Sequence, residues 1–512
     1  LFRLFCAKPC SSGGGALGGT SDTMSNSARS SKGSSTQVQT KIDVLSQESS
    51  PLLLGEGPVL PDYNLGSVSA GGKLDKRPPP DLNFYFCTSW VLFLEGLSGI
   101  SGLAVSYFYK NTLKVDPAML TTVSSLTNLP WTCKPIYGFV SDAFPIGGYR
   151  RKPYLFIAGV MGFASWVGMG LLVNGVWSGF CCMLVGSTAI AIANVISEAI
   201  VVERSKGEPQ EFASHLQSVV WGAASIGGLI ASFLSGYLLK FMSDRQVFLL
   251  VSVLPLSLIM LAFITPDKKV TDRSSAEHER GQMRTKVYQL YRTVMMPEIF
   301  YPTAFIFILN ATPSTGSAWF YFYSSKPPLG LGFTAEFLGT INVVGSVFNL
   351  AGVIFFQAFL KRVAFRPILI WGTIVSTVLG LSQLILVFHW NRAYGIPDWF
   401  FCLGESAIQS VVGWVATMPI IVMASRLCPD GMEGTMYALI MSVNNLGGIV
   451  GSQVGAVLCT YLGVSATNLD KFWLLVFISN ASSILPLLLI GWVPAGDPQL
   501  AEKLGEDEEE RS

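Results

Sequence analysis

The sequence predicts an all-α membrane protein with twelve transmembrane helices in two six-helix halves. Three observations carry that prediction. Half of the 512 residues are hydrophobic and only 13% are charged. Apolar runs of membrane-crossing length recur from Leu82 onward, and Lys and Arg gather in alternate loops.

A bilayer core takes about 20 apolar residues per helix. Runs of that kind centre on Leu94, Leu129, Gly162, Ile190, Gly227, Pro255, Phe307, Phe348, Thr377, Val412, Gly447 and Leu485. An even count puts both termini on one side. That side collects Lys76, Arg77, the Arg150-Arg151-Lys152 triplet, Arg204, Lys206, the charged 266–297 loop, Lys361, Arg362, Arg366 and Arg426. Between the other spans lie Lys110, Lys114, Lys240, Arg245, Lys326, Arg392 and Lys471. The excess, roughly three to one, makes the first side cytosolic by the positive-inside rule.

The expected organisation is a tail over 1–80, a six-helix half over 81–265, a cytosolic-side loop over 266–297, a second half over 298–494 and an acidic tail over 495–512. The halves echo one another. A shift of 214 lays RKPYLFI on FRPILIW and Gly138 on Gly352, and a shift of 220 lays Ile226-Gly227-Gly228 on Leu446-Gly447-Gly448. Internal symmetry of this kind belongs to secondary transporters with a substrate site between their halves, here of the major facilitator type.

The tail is rich in Ser and Gly, and before Asp43 it carries Arg3, Lys8, Arg29, Lys32 and Lys41 against one acid, Asp22. That composition fits a disordered segment or an organelle transit peptide. Met24 is a candidate start. Glu48-Ser-Ser-Pro-Leu52-Leu53 fits an acidic dileucine sorting signal, and Gly13–Gly18 matches a dinucleotide fingerprint without its strand and helix. A chloroplast envelope is one expected location, with plasma membrane and vacuole as alternatives.

Several function classes are excluded. A net charge of +1 without long basic stretches argues against nucleic acid. Nine Cys and three His form no metal spacing, and there is no HExxH, GxSxG or Walker-type loop. The chain reads as no enzyme, with no cofactor and no metal. The sequons at Asn310 and Asn480 fall within spans.

Ionisable groups near a bilayer centre cost about 2.5 to 3.5 kcal/mol on insertion scales and mark functional sites. Glu95, Lys134, Glu198 and Glu405 are such groups. Lys134 lies between Pro130 and Pro135, where a kinked helix could present a cation to a substrate carboxylate. Glu198 follows Asn194, and Gln409 follows Glu405, each by four residues and so on one helical face. Desolvation disfavours a charged carboxylate, so either Glu198 or Glu405 suits a coupled proton. Glu203 and Arg204, at the inner end of their span, read as a solvated ion pair.

The stretch GFVSDAFPIGGYRRKP, residues 138–153, closes the second span, turns on Gly147-Gly148 and opens the third at Pro153. Asp142 at a helix C-terminus calls for a cation, with Arg150 or Arg151 nearest. Gly138, Asp142, Arg150 and Arg151 are the expected gating loop. The repeat places Phe356 opposite Asp142, so a charge latch belongs mainly to the first half.

LPWTCKPIYGFVSDAFPIGGYRRKPY, VVERSKGE followed by LQSVVWG, ATPSTGSAWFYF, GFTAEFLG and RLCPDGMEGTMYALIMSVNN resemble the folate-biopterin transporter family of the major facilitator superfamily, in its plant and cyanobacterial type. The likeness spans nearly all of 82–494. It implies alternating-access carriage of folates or other pterins with proton symport, by a monomer in a lipid bilayer. In that light Glu198 or Glu95 receives the pterin edge, Lys134 the glutamate tail, and Trp131, Trp319 or Phe320 stacks on the ring. The chain has Glu198 and Glu405 where relatives often have Asp, and Thr315-Gly316 where they have an acid. A carrier of another organic solute, or a receptor that kept the fold, are the alternatives.

Overall fold

Prolines decide where many of the helices begin, because the missing N–H is harmless in a first helical turn. Pro117, Pro130, Pro135, Pro153 and Pro297 all sit in that position. The structure, a computed structural model, describes residues 82–205, 210–265, 267, 269, 288, 290–360, 363–427 and 433–494. The expectations for the N-terminal tail, most of the 266–297 loop, Lys361, Arg362 and the acidic tail fall outside the described residues.

The first crossing is α1 (Leu82–Leu97), a 3-10 turn (Ser98–Ile100), α2 (Ser101–Tyr107) and a π turn (Phe108–Thr112). The next is broken into α3 (Pro117–Leu126), α4 (Leu129–Thr132) and α5 (Lys134–Ala143). Then come α6 (Lys152–Leu171), α7 (Val176–Ser205), α8 (Gln210–Tyr237) and α9 (Asp244–Ile264). Gly147 at φ +62° and Gly148 at φ +82° make the turn expected before α6.

Beyond the central segment, α10 (Pro297–Asn310) and α11 (Ala318–Ser324) are the two pieces of one interrupted helix. They are followed by α12 (Ala335–Phe355), α13 (Phe365–Val387), the short α14 (Trp390–Ala393), α15 (Asp398–Arg426), α16 (Glu433–Tyr461) and α17 (Phe472–Ser482), the last running on into a 3-10 stretch over Leu485–Trp492.

Among the described residues nine helices are long and apolar enough to cross a membrane, against the twelve expected. The segments 117–143 and 297–324 fall short because they are broken. Asn444, Asn445 and Gln453 lower the hydropathy of α16.

Glycines let the helices approach to backbone contact. A Cβ on Gly227 of α8 would stand 2.3 Å from the Phe93 carbonyl of α1. A Cβ on Gly447 of α16 would stand 2.7 Å from the Phe307 carbonyl of α10. Phe307 lies 214 residues after Phe93, and Gly447 lies 220 after Gly227. The sequence echo therefore corresponds to the same close approach made twice. In the first helices a core forms around Leu92, Phe108, Tyr109, Met169, Leu216 and Phe248, and Trp90 Nε1 donates to Ser257 Oγ at 3.0 Å. In the later ones Asn480 donates to the Gly380 carbonyl at 3.2 Å, so that sequon is spent on helix packing.

Hydrogen bonds between helices before and after the central segment gather towards the end opposite Arg150 and Arg151. Lys110 Nζ donates to Ser324 Oγ at 2.7 Å, Ala466 N to Asp116 Oδ1 at 2.9 Å and Ser317 N to Thr121 Oγ1 at 2.8 Å. Tyr321 OH donates to the Val115 carbonyl and Gln453 to Ser125 Oγ.

Candidate functional site

The helix break at Cys133 puts Lys134 at the start of α5 rather than in mid-helix. Its ammonium lies 3.4 Å from Glu198 Oε1 and 5.0 Å from the ring centre of Trp131. The lysine side chain is 16% exposed and that of Glu198 is 40% exposed. The Glu198 end of the pair is therefore not sealed inside the protein, as an exchangeable contact requires. A cation over an indole face is attracted by the ring quadrupole, which holds the ammonium in place when its carboxylate partner changes.

Glu95 completes the cluster. Its Oε2 accepts from Asn194 Nδ2 at 2.6 Å, while Lys134 and Glu198 both act electrostatically on its carboxylate. Asn194 is 1% exposed, and its Oδ1 is buried without a partner among the described residues. Asn194 and Glu198 share a face of α7 as expected, but they engage different partners. Beside Glu95 a cavity of about 30 Å³ extends towards Trp166 and Pro255. That is room for about one water.

On the later helices Glu405 Oε1 accepts from Gln383 Nε2 at 2.7 Å. Gln409, on the same helical face as Glu405, is not its partner among the described residues. Gln409 Oε1 is buried without a partner among the described residues, because the amide of α13 reaches the acid first. Trp319 does not face a site: it packs edge-on to Phe472 at 4.9 Å. Phe320 meets Tyr107 at 5.0 Å and lies under the Lys110 ammonium at 5.6 Å. The Thr315-Gly316 departure has a backbone reason. Gly316 adopts φ +51°, and a Cβ there would stand 2.4 Å from Thr121 Cγ2.

A cavity of about 480 Å³ opens between α1, α8, α12 and α15. Asn342, Ser346 and Asn349 line it from α12, Ser406 and Ser410 from α15, and Ser232 from α8. Ser232 Oγ and Ser346 Oγ are 2.8 Å apart. The sequence reading missed these residues. The legible signal is a polar stripe at i, i+4 and i+7 on an otherwise apolar helix.

In the gating loop, Arg151 is 4% exposed and its Nη2 stands 2.8 Å from Asp142 Oδ1. The geometry makes this an ion pair rather than an aligned hydrogen bond, since Asp142 Oδ1 has no hydrogen-bond partner among the described residues. Arg151 also pairs with Glu203 and donates from Nη1 to Ser141 Oγ at 2.9 Å. Glu203 thus serves Arg151, which corrects the expected pairing with Arg204. Asp267 Oδ2 accepts from the backbone N–H groups of Arg151 and Lys152 at 2.8 and 3.0 Å, fixing the start of α6. Gly138 lies against Val195 of α7.

Arg151→Met is expected to leave two carboxylates facing each other without their cation. Breaking such a pair costs about 3 kcal/mol when buried and less where the acids reach water, as here. A lower melting temperature in detergent, with a larger loss of uptake than Lys152→Met causes, is the expected result. Equal effects of the two would contradict a latch role.

Long apolar helices, two interrupted crossings and acids held inside the helical bundle define a polytopic membrane protein of the major facilitator fold. A model described as the BT1 family matches residues 95–512. The chain belongs to that family. The folate-biopterin transporter of Synechocystis sp. is 42% identical over 413 residues, covering 81% of this chain and 82% of that protein. The probable folate-biopterin transporter 2 of Arabidopsis thaliana is 31% identical over 425 residues, covering 81% and 84%. Among solved structures, the nucleoside transporter NupG matches with a TM-score of 0.61 at 15% identity, covering 80% of this chain and 97% of that one. A D-xylose-proton symporter matches at 0.56 and 14%, covering 81% and 97%. These two resemble the chain in fold alone.

Proposed function

We propose that the chain is a secondary active transporter that moves folate or related pterins across a membrane by alternating access, coupled to protons. The observation that carries the reading is the meeting of Lys134, Glu198, Glu95 and Trp131 around a helix break, in a chain whose Synechocystis relative is named a folate-biopterin transporter. A substrate carboxylate competes with Glu198 for Lys134. Glu198, released, takes the proton, and Trp131 keeps the ammonium in position during the exchange. Glu405, beside Gln383, is the second proton-coupling and substrate-facing acid.

The remaining features follow from that reading. The chain crosses the bilayer twelve times in two six-helix halves, as a monomer with both termini on the basic side. Gly138, Asp142, Arg150 and Arg151 form the gating loop on that side. The Ser-rich, acid-poor N-terminal composition favours a chloroplast envelope over plasma membrane or vacuole. Imaging full-length and Met24-start fluorescent fusions distinguishes them.

Uptake of labelled folate into proteoliposomes, with and without an inward proton gradient, tests the function. Gradient-driven accumulation supports it. Flux of another solute only, or binding without flux, overturns it. Lys134→Ala is expected to weaken folate uptake by about tenfold or more while sparing an uncharged pterin, because a charge-assisted contact contributes about 1.5 to 3 kcal/mol. Equal loss for both substrates would remove Lys134 from carboxylate binding.

A further inference from the structure

The family resemblance implies Glu198 or Glu95 as the partner of the substrate ring, but the space beside Glu95 amounts to about 30 Å³. A bicyclic ring does not fit there. The cavity of about 480 Å³ between α1, α8, α12 and α15 falls in the range of small-molecule sites, roughly 300 to 1,000 Å³. Among the described residues no charged side chain lines it. Its polar groups are hydroxyls and carboxamides, and Gly96, Gly99 and Gly345 leave parts of the wall flat.

Ser232, Ser235 and Ser346 are engaged in hydrogen bonds, but four of the polar groups are unspent. Helical serines such as Ser225 and Ser442 give their hydroxyls to the carbonyl four residues earlier, at 3.0 and 2.7 Å. Among the described residues the side chains of Ser406, Ser410, Asn342 and Asn349 make no hydrogen bond to protein. A carboxamide offers two donors and an acceptor in one plane, the complement of a heterocycle edge that carries an amino group, a ring N–H and a carbonyl. A carboxylate here would have no countercharge, and burying it unpaired is unfavourable.

We propose that this cavity is the ring subsite: it takes the planar, uncharged, hydrogen-bonding heterocycle of the substrate, with Asn342, Asn349, Ser406 and Ser410 pairing with its edge. The assignment rests on the folate or pterin reading and gives it a division of labour. The ring is recognised by neutral groups of α12 and α15, and the carboxylate by Lys134. Ring specificity thus resides in one part of the bundle and charge recognition in another.

The test uses biopterin, which has no carboxylate, alongside folate. Asn349→Leu and Asn342→Leu keep side-chain size and remove both hydrogen-bonding ends. Each is expected to raise KM for both substrates by about tenfold or more, whereas Lys134→Ala discriminates between them. Unchanged KM for biopterin in variants that elute and melt like the wild type overturns the ring subsite and leaves the transport reading standing. A wild type that carries neither substrate overturns both. Should the Asn variants not fold, Ser406→Cys answers by its rate of alkylation above the wild-type background. Slowing by saturating biopterin supports the assignment, and an unchanged rate overturns it.

Discussion

Glu198→Gln is expected to abolish uphill accumulation of folate while exchange of labelled for unlabelled folate survives. Glutamine keeps the length and shape of a protonated glutamate, so the loaded carrier can still change its facing. It cannot release a proton, so a proton gradient no longer biases the cycle. Two observations make this the residue with the largest effect. Its carboxylate is the one in contact with Lys134, at 3.4 Å, and its side chain is 40% exposed, open to proton and solute alike. Glu95, held by a buried amide, and Glu405, held by Gln383, are less free to exchange partners. Paired uptake and counterflow assays in proteoliposomes decide the matter; undiminished accumulation against a gradient assigns the proton elsewhere.

Gly455→Ala is expected to be nearly as damaging, for a reason that has nothing to do with charge. A single methyl there would stand 1.8 Å from the Ser314 carbonyl oxygen, which is backbone and cannot rotate away. The same interrupted stretch donates Ser314 N to the Gly451 carbonyl at 3.2 Å, so α16 and the break between α10 and α11 are locked together. Overpacking typically costs about 1 to 3 kcal/mol, and a clash between two backbones belongs at or above the top of that range. Loss of the monodisperse peak on size exclusion is the expected outcome. Gly448→Ala, on the same helix with nothing within 4 Å, is the control and should express normally. Equal expression of both variants would contradict the packing described.

Much of this was legible in the sequence. Hydropathy located the long apolar helices, and the Gly-Gly echo between the halves proved to mark one helix crossing made twice. Lys134 and Glu198 stood out because a charge in an apolar run has to be explained. The break over 311–317 was harder to read. Pro313 is a hint, but that Gly316 adopts a positive φ against Thr121 is a tertiary fact. The partners of the acids were not legible for a similar reason. Spacing by four residues identifies a shared face but cannot say that Gln383, on another helix, outcompetes Gln409. The cavity-lining Asn342 and Asn349 went unnoticed because amides cost less than charges in a membrane and attract less suspicion.

The Lys134–Glu198 pair also bears on what drives the cycle. At rest the two cancel, so the load sets the charge that moves: with one proton on the proposed coupling, folate with its two carboxylates carries one net negative charge and an uncharged pterin one net positive charge. A membrane potential does about 2.3 kcal/mol of work per elementary charge per 100 mV, with opposite sign for those two loads. The pH difference, about 1.4 kcal/mol per unit, drives both alike. An interior-negative voltage would therefore assist entry of the uncharged pterin and oppose that of folate, while acidity serves both.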